Sequence, residues 1–281
     1  MSRRGWVLFA AMSVIWGIPY LLIKVALEEL SPAFLVLART ALASLVLVPV
    51  ALRAGVVRPA LTAWPALLAF AAIEMVGPWF LLNHAEEAIS SSLAGLLIAT
   101  VPLVATVIAF AMGDRHVLSR VRVVGLAVGL GGVAAIVGLD VGSGTATALG
   151  VGEMLLVAVG YAVAPVIAAR WLSDVPALGV IAVSVAAVAV VYSPAAVLDG
   201  PEGRPSGRVT AAVVVLALVC TALAFLLFFA LIAEVGPVRA TVFTFVNPAV
   251  AVLLGVSLLG EPFTRGMALG FPLVLLGSWL A

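Results

Sequence analysis

Three ionisable side chains stand where lipid would leave them without water: Glu74 in LLAFAAIEMVGPWFLLNHAEE, Arg39 in LVLARTALA and Lys24 in YLLIKVALEE. An ion near the bilayer centre costs at least about 2.5 to 3.5 kcal/mol, so each needs a partner or a water-filled cavity. Counting rise along the apolar runs that hold them, Lys24 lies about 5 Å deep, Arg39 about 9 Å and Glu74 about 15 Å. Such a graded set has a chemical use. Arg39 or Lys24 attracts a carboxylate, and Glu74 meets an amine or takes up a proton. Each also has a structural alternative: Lys24 snorkelling to the surface, Arg39 paired with an acid, Glu74 neutral and hydrogen-bonded.

Two prolines raise a related problem. FVNPAVAVLLGVSLLGE (Phe245 to Glu261) and TVPLVATVIAFAMG (Thr100 to Gly113) each carry a proline near the start of an apolar run. Inside a helix a proline costs about 3 kcal/mol or more in water, and lipid supplies nothing to repair the lost hydrogen bond. Pro102 and Pro248 deprive the carbonyls of Ile98 and Thr244 of their usual partners. Asn247 can bond locally, and Thr100, Thr106, Thr241 and Thr244 add polar groups to the same segments. The pattern fits the wall of a wet cavity; a packing kink is the alternative. Trp16, Trp79 and Tyr161 lie well inside their runs, away from the headgroup belt where aromatics gather, and either stack on a ligand or pack.

Other chemistry is poorly represented. His84, Glu86 and Glu87 form HAEE, which lacks the two-histidine spacing of a zinc helix, and the remaining histidine, His116, is expected on the opposite membrane face, so no metal site is expected. The glycines from Gly125 to Gly138 form no nucleotide loop, since no strand precedes them and no lysine lies among them; no cofactor is expected. They suit close helix packing, within one molecule or in a dimer. Glu28, Glu29, Glu86, Glu87, Glu153 and Glu234 lie near the ends of runs and are expected to be solvated.

The elements that must position these residues are helices. The chain is 65% hydrophobic and 10% charged, with a mean hydropathy of +1.32, far outside the range of soluble domains. A net charge of +1 with no basic stripe excludes a nucleic-acid partner. Ten apolar runs meet the length needed to cross a bilayer: 5–27, 33–52, 62–83, 89–111, 121–139, 148–170, 176–198, 209–231, 238–259 and 266–281. The fold class is therefore all-α and polytopic. The first run begins like a signal peptide but extends to Leu27 with no cleavage site after a short apolar core, and is read as a retained span. Cys220, the single cysteine, is expected to be a small buried side chain. Placing the amino end inside puts Arg3, Arg4, Arg53, Arg58, Arg115, Arg120, Arg122, Arg170 and Arg239 in the cytoplasm, against Arg204, Arg208 and Arg265 outside, so both ends are expected to be cytoplasmic.

The chain also repeats. HVLSRVRVVGLAVGLGG from His116 lies over EPFTRGMALGFPLVLLG from Glu261, aligning Ser119 with Thr264, Gly125 with Gly270 and Gly132 with Gly277. Ser119 and Thr264 are both expected helix N-caps. A one-residue shift pairs Pro102 with Pro248, and the unshifted offset of 145 sets Trp16 on Tyr161. The expected units are residues 1–140 and 148–281, five spans each and therefore opposite in orientation.

An early Trp16-Gly17, an arginine within span two, prolines in spans four and nine and an LLGE end to span nine, in this order across two copies, resemble the drug/metabolite transporter superfamily, and within it the EamA-like exporters. The resemblance covers almost the whole chain. It implies a ten-helix carrier of the bacterial cytoplasmic membrane, with inverted five-helix repeats, that exports small metabolites such as amino acids by alternating access. A multidrug or nucleoside exporter is the nearest alternative; an intramembrane enzyme or a non-transporting membrane protein is the more distant one. With no nucleotide motif, such a carrier runs on gradients, proton exchange among them, as monomer or homodimer. Trp16, Arg39, Glu74, Trp79, Thr100, Pro102, Tyr161, Thr244, Asn247 and Pro248 are the expected cavity residues. The sequence departs from the pattern at His116, where the first copy lacks the acid that Glu261 supplies in the second.

Overall fold

The structure, a computed structural model, describes residues 2–113, 119–141, 144 and 146–280. His116 lies outside the described residues, as does the side chain of Thr241. The described residues form helices and no strand. Among the described residues, eight helical spans are long and apolar enough to cross a membrane: α1 (Arg3–Ala26), α2 (Pro32–Arg53), α3 (Trp64–Ala88), α4 (Ser91–Ala111), α5 (Arg120–Val141), α6 (Ala148–Trp171), α8 (Gly207–Val235) and α9 (Val242–Leu259). Two shorter apolar helices complete the set, α7 (Ala177–Tyr192) and α10 (Arg265–Leu280). Each coincides with one expected run.

Helix starts follow local chemistry. Ser31, Ser90, Ser119, Thr147, Ser206 and Thr264 each accept a backbone N–H of the following helix's first turn, the bond that stabilises an N-terminus. Ser119 and Thr264, paired by the repeat, play the same part in α5 and α10.

Several spans are not continuous. α1 breaks at Trp16–Ile18 and restarts at Pro19. α4 narrows to a 3-10 turn at Ile98–Thr100 and restarts at Val101, putting Pro102 in a new first turn. α9 passes from a 3-10 turn ending at Phe245 into a helix starting at Asn247, with Pro248 placed equivalently. A proline in a first turn gives up an N–H that would have had no helical partner anyway. α3 and α8 instead widen to π-helix, at Ala72–Val76 and Leu218–Leu223.

Among the most extensive packing pairs are α5 with α10, α2 with α7, α3 with α6, α4 with α9 and α1 with α8. Adding or subtracting five from both members of any pair returns a pair in the set. The α5–α10 contact is close: a Cβ on Gly277 would lie 2.4 Å from the Gly129 backbone, and one on Gly132 would lie 2.8 Å from the Val274 nitrogen. These glycines allow close packing within one molecule.

Because the blocking atoms at Gly277 are backbone, they cannot swing aside. Gly277→Ala should lower stability by about 1 to 3 kcal/mol, read as a lower melting temperature in detergent. Gly131→Ala, on the partner helix α5 but with nothing within 4 Å of the new methyl, should leave it nearly unchanged.

Candidate functional site

The breaks in α1, α3, α4, α8 and α9 surround one large cavity of about 1260 Å³. Its floor is formed by Tyr20, Ile23, Leu82 and Gly95, and it rises past Arg39 and Glu74 to Met112, Arg170, Val175 and Ala177. Alternating spans sort their ends to two faces, so the upper residues lie on the face that carries the chain termini. The cavity therefore opens to that face.

Nine of the ten expected residues line it: Trp16, Arg39, Glu74, Trp79, Pro102, Tyr161, Thr244, Asn247 and Pro248. Thr100 does not. It is buried and its hydroxyl donates to the Leu97 carbonyl, because the 3-10 turn rotates it away from the opening that its neighbours Ala99 and Val101 face.

Arg39 is held from two sides. Its Nε donates to Thr221 Oγ1 at 2.8 Å, and its guanidinium carbon stands 4.0 Å from the Trp79 ring centroid. Among the described residues no carboxylate lies within 4 Å of it, so the expected alternative of a structural ion pair is not what anchors this arginine. Stacking plus one hydrogen bond fixes the plane of the fork and leaves its terminal nitrogens for an incoming anion. Thr221 went unnoticed in the sequence, where nothing marks a threonine within an apolar run as the partner of an arginine 182 residues away.

Glu74 sits on the π-helical turn of α3 and has no hydrogen-bond or ion-pair partner among the described residues. The extra residue in that turn re-aims the helix face. Tyr161, from α6, stands near both Glu74 and Arg39. On the wall nearer α8 and α9, Trp16 packs against Phe228, Phe243 and Phe225 at centroid distances of 5.1, 5.3 and 5.7 Å, and its Nε1 donates to the Cys220 carbonyl at 3.3 Å. Gly17 follows because any side chain there would meet Val250, at 2.5 Å, and the Asn247 carbonyl. The Asn247 amide, oriented by its neighbours, donates to the carbonyls of Ser13 at 2.9 Å and Phe243 at 3.1 Å. Cys220 is buried, as expected.

The opposite face is sealed by polar contacts. Glu261 accepts from the backbone N–H groups of Ser91 (2.8 Å) and Ser92 (2.9 Å) and from Ser92 Oγ (2.6 Å), tying the α9–α10 turn to the N-terminus of α4. Gly260 makes that turn possible with φ of +67°, a conformation other residues rarely adopt. Arg208 meets Glu28 at 3.1 Å, and Ser206, through its hydroxyl and its backbone N–H, the latter at 2.7 Å, holds the exposed Glu29 carboxyl below its ordinary range. Asp140, which the sequence reading passed over, is buried at the end of α5 and accepts from Thr264 Oγ1 at 2.9 Å. Its only signal was an acid in the apolar run GLDVG.

Three expectations fail on this face. Lys24 neither snorkels nor joins the cavity; its ammonium donates to the carbonyls of Glu86 and, at 2.9 Å, Ile89, compensating the free C-terminus of α3. Glu86 is fully buried instead of solvated, and Glu153 is buried against His84, whose Nδ1 lies 2.8 Å from Glu153 Oε1. Both acids lie near helix ends in sequence, but neighbouring spans cover those ends. Among the described residues no cluster of three or more His, Cys, Asp and Glu side chains is disposed to hold a metal.

Comparison with known proteins agrees with this architecture. The uncharacterized inner membrane transporter YedA of Escherichia coli K12 is 29% identical over 283 residues, covering 96% of this chain and 90% of that protein. The proteins of the same name from Escherichia coli O6:H1 and O157:H7 match equally. A protein of known crystal structure shares the fold with a TM-score of 0.69 at 23% identity, covering 99% of this chain and 97% of its own. The EamA-like transporter family matches twice, at residues 3–138 and 148–281. With both halves of the chain matched, this membrane protein belongs to the EamA-like transporter family.

Proposed function

We propose that the chain is a gradient-driven or facilitative carrier that exports small metabolites, amino acids above all, through alternating access of the central cavity. The observation that carries this reading is the pairing on one cavity wall of Arg39, fixed but without a carboxylate, and Glu74, without a hydrogen-bond partner. A cation and an acid in one recess suit the carboxylate and ammonium of a zwitterion, whose charges supply the partners that burial otherwise denies. The aromatic group around Trp16 offers a surface for an apolar or aromatic side chain. A drug or nucleoside exporter would lean on those rings and tolerate loss of Arg39.

The double family match and the five-step symmetry of the packing pairs support two inverted five-helix units, residues 1–140 and 148–281. On that reading the open face, which carries most of the arginines, is cytoplasmic in the bacterial inner membrane. The carrier acts as a monomer or homodimer, and Glu74 is the cavity acid available for proton exchange.

Purified protein in liposomes should show saturable counterflow of labelled amino acids, with a pH gradient altering net accumulation if protons are exchanged. Absence of movement for every amino acid tested would remove this substrate class. Arg39→Gln should raise the half-saturating concentration roughly 10- to 100-fold, the loss expected for hydrogen bonds between charged groups. Glu74→Gln should reduce flux while the protein stays monodisperse with an unchanged melting temperature; flux equal to that of the parent would show that Glu74 takes no part in the cycle.

A further inference from the structure

Just beyond the cavity floor the fold encloses a carboxyl group that nothing holds. Glu86 lies one helical turn past Leu82 on α3, has no exposed surface, and neither carboxyl oxygen has a hydrogen-bond partner. The groups that face it are otherwise engaged. Lys24 of α1 donates to the backbone carbonyls of Glu86 and Ile89. Glu261, from the α9–α10 turn, spends both oxygens on the N-terminus of α4. Tyr20 of α1 is buried and lines the floor. From α2, Arg39 is committed to Thr221 and Trp79; from α6, Glu153 is committed to His84, and Tyr161 lies up the cavity wall.

The buried Glu86 thus has one ammonium, that of Lys24, and a second acid, Glu261, in its neighbourhood, and ionising both acids there would leave net charge in low dielectric. Glu261, with three donors, is the acid built to be charged. Glu86, with none, is left to carry a proton. Opening the sealed face would part Glu261 from Ser91 and Ser92, admit water beside Glu86 and let it ionise.

We infer that Glu86 is a proton-binding site of the gate on the sealed face, one that must be filled from that side before the gate can close. The inference rests on the alternating-access reading above. The sign follows from linkage: the sealed state holds one proton more than the open state, so acid on that side favours sealing. At pH values above the ordinary range of a hydrated glutamate, about 4.3, the ratio of sealed to open molecules should rise about tenfold for each unit the pH falls.

The test uses spin labels on Ala88→Cys and Phe263→Cys, exposed positions flanking the gate, in a Cys220→Ala background, with distances measured by pulsed electron resonance between pH 5 and 9. The short-distance population should grow as pH falls in the otherwise native protein and lose that dependence in Glu86→Gln, which mimics the protonated acid. Glu29→Gln and His84→Gln should keep it. A pH-insensitive distribution in the parent, or an unchanged pH dependence in Glu86→Gln, overturns the proposal. Should Glu86→Gln not fold, the infrared band of a protonated carboxyl decides. It must be present at neutral pH in the Glu74→Gln protein, and its absence overturns the proposal equally. Counterflow separates the two ideas: transport with an indifferent gate removes the Glu86 site alone, and a pH-responsive gate without transport removes the carrier reading alone.

Discussion

Every carbonyl released by a break in a membrane helix has to be met by another part of the protein, because hydrocarbon offers no donor. The structure follows this constraint at one span after another. Trp16 of α1 donates to the Cys220 carbonyl in the π turn of α8, and the Tyr192 hydroxyl at the end of α7 donates to the Val76 carbonyl in the π turn of α3, at 2.8 Å. Ser278 of α10 donates to the Ala99 carbonyl in the 3-10 turn of α4 at 2.6 Å. Asn247 serves both its own turn and α1. The irregular backbone that shapes the cavity is thus stitched to spans that pass beside it, and the stitches are single side chains whose types appear unexceptional in sequence.

The same constraint divides the molecule into unlike ends. At the sealed face, helix termini are closed by ions from other spans: Glu261 on the start of α4, Lys24 on the end of α3. These contacts use the partial charges of helix ends, which fade quickly with distance, so a small separation removes most of their strength. At the open face the cavity wall runs out to Met112, Arg170 and Ala177. The fixed portion of the molecule is α5 with α10, where at Gly277 backbone meets backbone.

Much of this was legible beforehand. The spans were readable because lipid imposes one long apolar stretch per crossing, and Pro102, Pro248 and the Trp16-Gly17 pair stood out as residues that a plain apolar helix has no reason to contain. Nine of the ten expected cavity residues do line one opening. What escaped was burial at helix ends. Glu86, Glu153 and Asp140 look solvated when one span is read alone, and only the packing of α1, α3, α6, α9 and α10 shows that water is kept from them. The π turns escaped for a related reason: widening a helix by one residue per turn leaves no compositional trace. Thr100 shows the limit of reading neighbours as equivalent, since one step along a 3-10 turn takes a side chain from the opening into the core.

The shortness of α7 bears on the lipid as well as on the protein. Its 16 residues reach about 24 Å, whereas a typical hydrocarbon layer is about 30 Å thick. A span shorter than the layer around it favours a thinner bilayer beside it. Each ångström of mismatch costs a fraction of a kcal/mol. Acyl-chain length at that flank thereby becomes a mechanical load on the molecule, lightest in thin membranes.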